Sequence, residues 1–218
     1  MVQRGLYTPL ITPLKGNQLD EEGLLCNIKM QEEAGVTGLV VLGTTGEAQT
    51  LSEHEKERIL SLAARSSLTL VVVCNHFCTN TLIEKVASFE GADALMLAPP
   101  PYTKPTQEGL FLHFSSVAKS TNLPIILYNI PSRTSVNLEP ETIARLAQIE
   151  NIVGIKECNW SQASQTIETG LMVFAGDDAS ILPFIALGAQ GAIASSANIV
   201  PHELQALVVA ALNGDMEK

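Results

Sequence analysis

The sequence predicts one (β/α)8 TIM barrel, an α/β fold in which eight parallel strands close into a cylinder inside a ring of helices. Short runs rich in Val, Ile and Leu alternate with longer amphipathic stretches from one end of the 218-residue chain to the other. Runs this short and this apolar are typical of parallel strands buried on both faces. Because the alternation continues without a break in composition, it favours a single barrel over two domains or an open doubly wound sheet.

Eight apolar runs are the predicted barrel strands. They cover residues 5–13, 37–43, 69–75, 94–99, 124–130, 152–157, 172–176 and 191–195. One strand with its helix takes up roughly 27 residues, which is compact for a fold that usually has about 200 residues or more. In this architecture the functional side chains come from the carboxyl ends of the strands, so those ends carry the candidate site residues.

Amphipathic stretches between these runs are the predicted helices. The clearest cover residues 20–34, 52–64, 106–120, 139–149 and 202–212. Ser52 is followed three residues later by Glu55, which is the pattern of a capping box, and Pro105-Thr106 is a typical helix start. The spacing of helices and strands therefore supports the barrel independently of the apolar runs.

The end of the chain predicts a domain boundary. Asn213-Gly214 is typical of a helix stop, and Asp215 is a favourable N-cap for another helix. We expect a catalytic barrel over residues 1–214 and the start of a truncated C-terminal helical region over residues 215–218.

Composition excludes several classes of partner. The chain has 13 basic and 23 acidic residues, a net charge of −10, and no run of Lys or Arg that would bind nucleic acid or an anionic membrane. It has neither a signal-peptide pattern at the N-terminus nor an apolar run of membrane-spanning length. Cys26, Cys74, Cys78 and Cys158 lack Cys-x-x-Cys spacing and are predicted to be reduced, mostly buried thiols. We expect a cytoplasmic, metal-free protein.

Lys156 stands inside an otherwise apolar run, residues 152–157. Burial disfavours an ammonium and lowers its pKa, which leaves more of the neutral amine that can attack a carbonyl carbon. The pattern therefore indicates a lysine that forms a Schiff base. The alternative is that the side chain extends past the strand end to pair with a carboxylate.

Tyr128 is predicted to face Lys156. If side chains alternate along each strand, Tyr128 and Lys156 both point into the barrel from adjacent strands, and Gly154 leaves room beneath them. A phenol there can pass protons to and from a lysine adduct, although a lone Tyr is also typical of a core position. Arg133, just past the strand, can hold a carboxylate bidentately or can be a solvated loop residue.

The loop after the second strand, Gly43-Thr44-Thr45-Gly46-Glu47, combines two glycines with two hydroxyls. Its turn can present backbone N–H groups to a carboxylate, or it can be an ordinary β-to-α turn. The glycine spacing is too short for a P-loop.

Four motifs together resemble the dihydrodipicolinate synthase family. They are residues 43–47, 128–134, 154–157 and 176–178, and they occur in the family's order and approximate spacing over nearly the whole chain. The resemblance implies that Lys156 forms an imine with pyruvate and that Tyr128 relays protons. It also implies that Thr44 links Tyr128 to Tyr102, which in the family reaches into a neighbouring subunit's site.

The same resemblance implies the substrate contacts and the reaction. Thr45 and the backbone of Ile193 would bind the pyruvate carboxylate, and Arg133 would hold the carboxylate of L-aspartate-4-semialdehyde. Gly176 would be a further substrate-binding residue. The family condenses these two substrates in the diaminopimelate route to lysine without a metal or organic cofactor. Its members assemble as oligomers, so a homodimer or homotetramer is expected.

Two other functions remain open at this point. N-acetylneuraminate lyase and the keto-deoxy sugar acid aldolases resemble this chain at Lys156 and Tyr128, but Ser132-Arg133-Thr134 favours the synthase. A catalytically silent keto-acid-binding homologue is the third alternative. His76 is interpreted as a structural or entrance residue, and Asp177-Asp178 as a capping pair without a third ligand for a metal.

Departures from the family pattern lie near the third strand. The chain reads Val73-Cys74-Asn75-His76-Phe77-Cys78-Thr79 where the family normally has a Gly-rich stretch. Glu53, Lys56 and Leu82 fall near positions that carry other polar groups in lysine-inhibited members. Feedback inhibition by lysine is therefore not expected.

Overall fold

Eight parallel strands close into a barrel in the computed structural model, which describes residues 2–87 and 89–215. The predicted fold class is thus confirmed. The strands of the described residues are β1 (Gly5–Pro9), β2 (Leu14–Lys15), β3 (Gln18–Leu19), β4 (Gly38–Val41), β5 (Thr69–Val73), β6 (Ala94–Leu97), β7 (Ile125–Asn129), β8 (Ile152–Glu157), β9 (Met172–Ala175) and β10 (Gly191–Ile193). All except β2 and β3 belong to the barrel.

Closure joins the first strand of the barrel to the last. β1 pairs in parallel with β4 on one side and with β10 on the other, so each strand lies beside its neighbours in chain order. The predicted strand at residues 5–13 is too long, because β1 ends at Pro9 and the chain then forms the small antiparallel hairpin β2–β3. Pro13 has no N–H to donate to a continued ladder.

Helices follow the barrel strands and cover them on the outside. They are α1 (Glu21–Ala34), α2 (Glu53–Ala63), α3 (Thr79–Ala87), α4 (Gln107–Ala118), α5 (Pro131–Thr134), α6 (Pro140–Leu146), α7 (Ala163–Glu168), α8 (Ile181–Ala186) and α9 (Pro201–Leu212). The predicted capping box is confirmed at the start of α2, where the Ser52 hydroxyl accepts from the Glu55 N–H at 3.3 Å and the Glu55 carboxylate accepts from the Ser52 N–H at 2.8 Å.

Two apolar layers hold the fold together. One lies between strands and helices and includes Leu95, Phe114 and Ile155, while the other fills the barrel interior and includes Phe174 and Ile193. Burial of this much apolar surface is the main stabilising contribution. The filled interior leaves the carboxyl ends of the strands as the place where a ligand can enter.

The cysteine prediction is only partly right. All four thiols are free, as expected, but Cys74 alone is buried; Cys26 and Cys78 are exposed and Cys158 is half-buried. Cys26 lies on the solvent face of α1 and Cys78 directly precedes α3, and neither position is packed beneath another element.

In the part of the chain that the structure describes, none of the helices combines the length and the apolar character needed to cross a bilayer. The predicted helical start at residues 215–218 lies, apart from Asp215, outside the described residues.

Candidate active site

Lys156 and Tyr128 face each other inside the mouth of the barrel. They are directly paired in the register of β7 and β8, and Nζ of Lys156 lies 4.6 Å from the centroid of the Tyr128 ring. Lys156 is 5% exposed and Tyr128 is 7% exposed. Among the described residues Nζ forms no ion pair with a carboxylate, which argues against the alternative of a side chain that extends past the strand end.

Burial determines the protonation behaviour of this pair. It lowers the pKa of the Lys156 amine, against the opposing effects of Cys158 and Asp177, because a buried ammonium loses hydration. It raises the pKa of the Tyr128 phenol well above its ordinary value for the same reason. A neutral amine and a neutral phenol are thereby both favoured, and such an amine can add to a carbonyl carbon.

The Gly43–Glu47 loop lies beside the end of β10. Oγ1 of Thr45 is 3.3 Å from Oγ of Ser195, two residues after Ile193. A Cβ on Gly46 would lie 2.9 Å from the carbonyl oxygen of Leu10, so only glycine fits that turn. Thr44 and Thr45 are both half-buried, and barrel closure brings them to the same end as Lys156.

Ile193 and Gly176 complete the wall formed by the last strands. Ile193 ends β10, is fully buried, and packs in the interior cluster with Tyr128. The Gly176 N–H donates to the carbonyl oxygen of Glu157 at 2.9 Å, and a Cβ on Gly176 would collide with Sγ of Cys158. The backbone therefore approaches the end of β8 closely at this glycine.

Arg133 is exposed on the short helix α5, directly after β7. Its charge favours the deprotonated forms of both Lys156 and Tyr128, although for Tyr128 the larger effect of burial still raises the pKa of the phenol. A cation at this position lies near enough to the buried pair to attract an anionic ligand toward it.

Tyr102 is separate from these groups. It is 89% exposed in the loop after β6, with a left-handed φ of 71°. Among the described residues no hydrogen bond links Thr44, Tyr128 and Tyr102. Tyr102 is therefore free to contact a second molecule.

The position of the Cys158 side chain at the site was not predicted from the sequence. The Cys158 side chain packs against the interior cluster beside Lys156, and burial raises the pKa of its thiol to about 12. The alternation that places residues 154 and 156 inward also predicts residue 158 there. Asp178 accepts from the backbone N–H of Ser196 at 3.2 Å and from its hydroxyl at 2.6 Å, whereas Asp177 makes no side-chain capping hydrogen bond. The interpretation of the two as a capping pair is therefore supported for Asp178 alone.

Metal ligation has little support in this geometry. Within residues 2–87 and 89–215, no three His, Cys, Asp or Glu side chains are grouped so that they could hold a metal ion. His76 accepts from the backbone N–H of Cys78 at 3.0 Å, which is a local structural contact.

Comparisons with known proteins agree on one family. The model of the dihydrodipicolinate synthetase family matches residues 2–218. The 4-hydroxy-tetrahydrodipicolinate synthase of Methanocaldococcus jannaschii is 45% identical over 224 residues, which cover 99% of this chain and 78% of that protein. A crystal structure of a dihydrodipicolinate synthase superposes with a TM-score of 0.94 at 44% identity, covering 98% of this chain and 77% of that one.

Two further solved structures are informative about ligand and assembly. The chloride-inhibited dihydrodipicolinate synthase of Acinetobacter baumannii, solved in complex with pyruvate, has a TM-score of 0.93 at 33% identity and covers 100% of this chain and 78% of that one. A monomeric dihydrodipicolinate synthase variant has a TM-score of 0.94 at 35% identity, covering 99% of this chain and 76% of that one.

Proposed function

This chain belongs to the dihydrodipicolinate synthetase family, and on that basis we propose that it is a 4-hydroxy-tetrahydrodipicolinate synthase. It is a lyase that condenses pyruvate with L-aspartate-4-semialdehyde in the diaminopimelate pathway of lysine biosynthesis. The observation that carries the proposal is the dry Lys156 amine opposite the Tyr128 phenol, 4.6 Å from its ring centroid.

Covalent catalysis begins at Lys156. The neutral amine adds to the keto carbon of pyruvate, and loss of water gives an imine. The protonated imine nitrogen withdraws electrons from the pyruvate carbons. A proton therefore leaves the methyl carbon of pyruvate, and an enamine forms. That carbon then attacks the aldehyde of the semialdehyde, forming the new C–C bond. The substrate's amino group finally adds to the imine carbon, which closes the ring and releases Lys156.

Tyr128 relays protons in these steps. Because burial raises its pKa, the phenol is protonated when substrate arrives and can donate to the carbinolamine oxygen that leaves as water. Thr44, half-buried at the same end of the barrel, links the phenol to Tyr102 of a second copy in the assembled protein, which completes the relay. The exposed position of Tyr102 supports this last assignment.

Carboxylate recognition is divided between two sets of groups. Thr45 and the backbone at Ile193 bind the pyruvate carboxylate, supported by the nearness of Thr45 to Ser195 across the barrel mouth. Arg133 binds the carboxylate of the semialdehyde at the entrance. Gly176 keeps the adjoining wall free of a side chain.

The chemistry needs no cofactor, because the imine of Lys156 itself acts as the electron sink. The protein acts in the cytoplasm on small-molecule substrates as a homodimer or homotetramer. A net charge of −10 disfavours nucleic acid and anionic membrane as partners. The Tyr102 assignment requires at least two copies.

Reductive trapping tests the proposal. The purified chain is incubated with pyruvate and borohydride, digested and mapped by mass spectrometry, with Lys156→Arg as the matched control. We expect one reduced pyruvate adduct on Lys156 and none in the variant. An unmodified Lys156 in the folded wild-type chain would support a silent keto-acid-binding homologue instead.

Turnover then distinguishes the enzymes that share this lysine. We expect product from pyruvate and L-aspartate-4-semialdehyde, and no pyruvate release from N-acetylneuraminate or a keto-deoxy sugar acid. The opposite preference would identify the chain as an aldolase of the sister type.

A further inference from the structure

A second set of buried polar groups lies on the outward faces of the same two strands. Building on the function proposed above, we propose that Glu157 is a positioning residue for the reaction. Its carboxylate holds together the strand ends that carry Lys156 and Tyr128, and thereby keeps the amine and the phenol at their working separation.

The Glu157 carboxylate is fully buried and accepts four hydrogen bonds. Oε1 accepts from Nδ2 of Asn129 at 2.9 Å and from the backbone N–H of Asn159 at 2.7 Å. Oε2 accepts from Nε2 of Gln162 at 3.0 Å and from the hydroxyl of Thr166 at 3.1 Å. Two carboxylate oxygens offer about four acceptor positions, so the donors around this group occupy all of them.

The register explains why this contact bears on catalysis. Asn129 pairs with Glu157 one position beyond the pairing of Tyr128 with Lys156. Since successive side chains point to opposite faces of a strand, the inward pair and the outward pair share two short pieces of backbone. The hydrogen bond between Asn129 and Glu157 joins the same two strand ends from behind the active site.

Asn129 extends the connection to the segment that follows α5. Its Oδ1 accepts from the backbone N–H of Leu138 at 3.0 Å, and its Nδ2 also donates to Oδ1 of Asn137 at 2.9 Å. Asn137 in turn donates to Gln162 at 2.7 Å. The network therefore connects β7, β8, the chain after Arg133 and the approach to α7.

A purely structural explanation accounts poorly for these residue types. The outward positions nearer the middle of the two strands, Leu127 and Ile155, are apolar and pack in the layer beneath the helices. Apolar residues of similar volume usually stabilise a fold at least as well as a buried charge does. In this strand pair the fully buried carboxylate and its four donors lie at the end that carries the reacting groups.

Glu157→Gln tests the role with the smallest change of shape. Whichever way the new amide is oriented, its NH₂ group meets donors: Asn129 and Asn159 on one side, or Gln162 and Thr166 on the other. At least one donor must turn away, and the strand ends shift. Because a displacement of about 1 Å can cost roughly a hundredfold in rate, we expect kcat to fall at least about tenfold.

The Michaelis constant separates positioning from general damage. The proposed carboxylate ligands of pyruvate, Thr45 and Ile193, belong to the β4 and β10 side of the barrel, away from the Asn129–Glu157 contact. We therefore expect KM for pyruvate to stay close to the wild-type value while kcat and the rate of reductive trapping both fall.

Asn151→Ala is the matched control, at the opposite end of the same strand. Asn151 directly precedes β8, and its side chain donates to the carbonyl oxygens of Ala118 and Thr121, each at 2.9 Å. The variant loses two partly buried hydrogen bonds and should melt at a lower temperature, with kcat unchanged. A milder second variant, Thr166→Val, removes a single donor to Glu157 and should lower kcat less than Glu157→Gln does.

Each outcome decides between the two roles. Lower kcat in Glu157→Gln and Thr166→Val, with normal kcat in Asn151→Ala, supports positioning. Wild-type kcat in a folded Glu157→Gln variant overturns the positioning role, and so does an equal loss of kcat in Asn151→Ala. If Glu157→Gln does not fold, normal kcat in Thr166→Val overturns the role. Failure of the wild-type chain to trap pyruvate would instead reject the proposed function.

Discussion

The two faces of the β7–β8 pair differ in how their buried polar side chains are hydrogen-bonded. On the inward face, Lys156 lies over the ring of Tyr128 and forms no hydrogen bond to another of the described residues. On the outward face, one residue further along, the equally buried Glu157 receives four donors. A buried amine without such hydrogen bonds has a lowered pKa and is reactive, whereas a fully hydrogen-bonded carboxylate is held rigidly. The same strand ends thus combine a reactive face with a supporting face.

Lys156→Met should give the largest effect on activity. It removes the nucleophile, and we expect turnover to fall by about four orders of magnitude or more, as when other covalent catalysts lose their nucleophile. Because burial disfavours the ammonium, replacing it with an apolar side chain should leave the free energy of unfolding unchanged or raise it by about 1 kcal/mol. Steady-state kinetics and urea unfolding measure the two effects. Marked destabilisation would contradict the contrast between the faces.

Tyr128→Phe should have the next largest effect. The ring that packs on Lys156 remains, but the proton donor is lost, and such groups contribute about 10²–10⁴-fold to rate. We expect kcat to fall within that range while the variant still binds pyruvate, which equilibrium titration can measure. Wild-type turnover would remove the phenol from the proton relay.

Arg133→Ala should have a smaller and more selective effect. A charge-assisted hydrogen bond contributes about 1.5–3 kcal/mol, so we expect KM for the semialdehyde to rise roughly ten- to a hundredfold. Imine trapping with pyruvate should be weakened less than semialdehyde use, because trapping loses only the effect of the charge near Lys156. Arg145→Ala, which removes another exposed arginine, paired with Glu108 at 2.7 Å, is the control and should leave both measurements unchanged. Equal loss of trapping and semialdehyde use would reject the entrance role.

Replacing His113, in α4, should have the smallest effect on activity. This residue extends the comparison of buried polar groups to the helix layer. Its Nδ1 is 2.9 Å from Oγ1 of Thr79, Nε2 is buried with no hydrogen-bond partner among the described residues, and burial lowers the pKa of the ring to about 4. As pH falls, the His113 ring therefore binds a proton near pH 6.5 in the unfolded chain, before it does so in the folded chain. The contribution of His113 to the free energy of unfolding is fully present above that pH and is lost as pH falls toward 4.

The expected loss between pH 6.5 and 4 is up to about 3 kcal/mol, and His113→Gln should reduce it without changing kcat. Urea unfolding at several pH values measures the difference between the two proteins. Identical pH dependence would show that His113 is not the group responsible.

Much of the site follows from local patterns. Apolar runs predicted all eight barrel strands, and simple alternation predicted that Tyr128 and Lys156 face each other, which the β7–β8 register confirms. The hairpin β2–β3 was missed because its strands are two residues long and largely exposed. Such short elements lack the periodicity on which a prediction depends.

Contacts between distant segments could not be predicted in this way. Thr45 meets Ser195 only because the barrel closes, and the two residues are 150 positions apart. The four donors to Glu157 come from β7, from the turn after β8 and from α7, so one strand pattern cannot reveal them. The exposure of Cys26 and Cys78 likewise depends on which surfaces are covered, not on residue type.

The pH dependence of imine formation tests the central claim most directly, which is that dry surroundings make Lys156 a nucleophile. The rate of reductive trapping by pyruvate is measured from pH 5 to 11, with adducts mapped to individual lysines. Because burial lowers the pKa of Lys156, the rate of adduct formation at Lys156 should reach a plateau at a pH well below the ordinary lysine pKa of about 10.4. A rate at Lys156 that keeps rising to that value, as for an exposed lysine, would contradict the account.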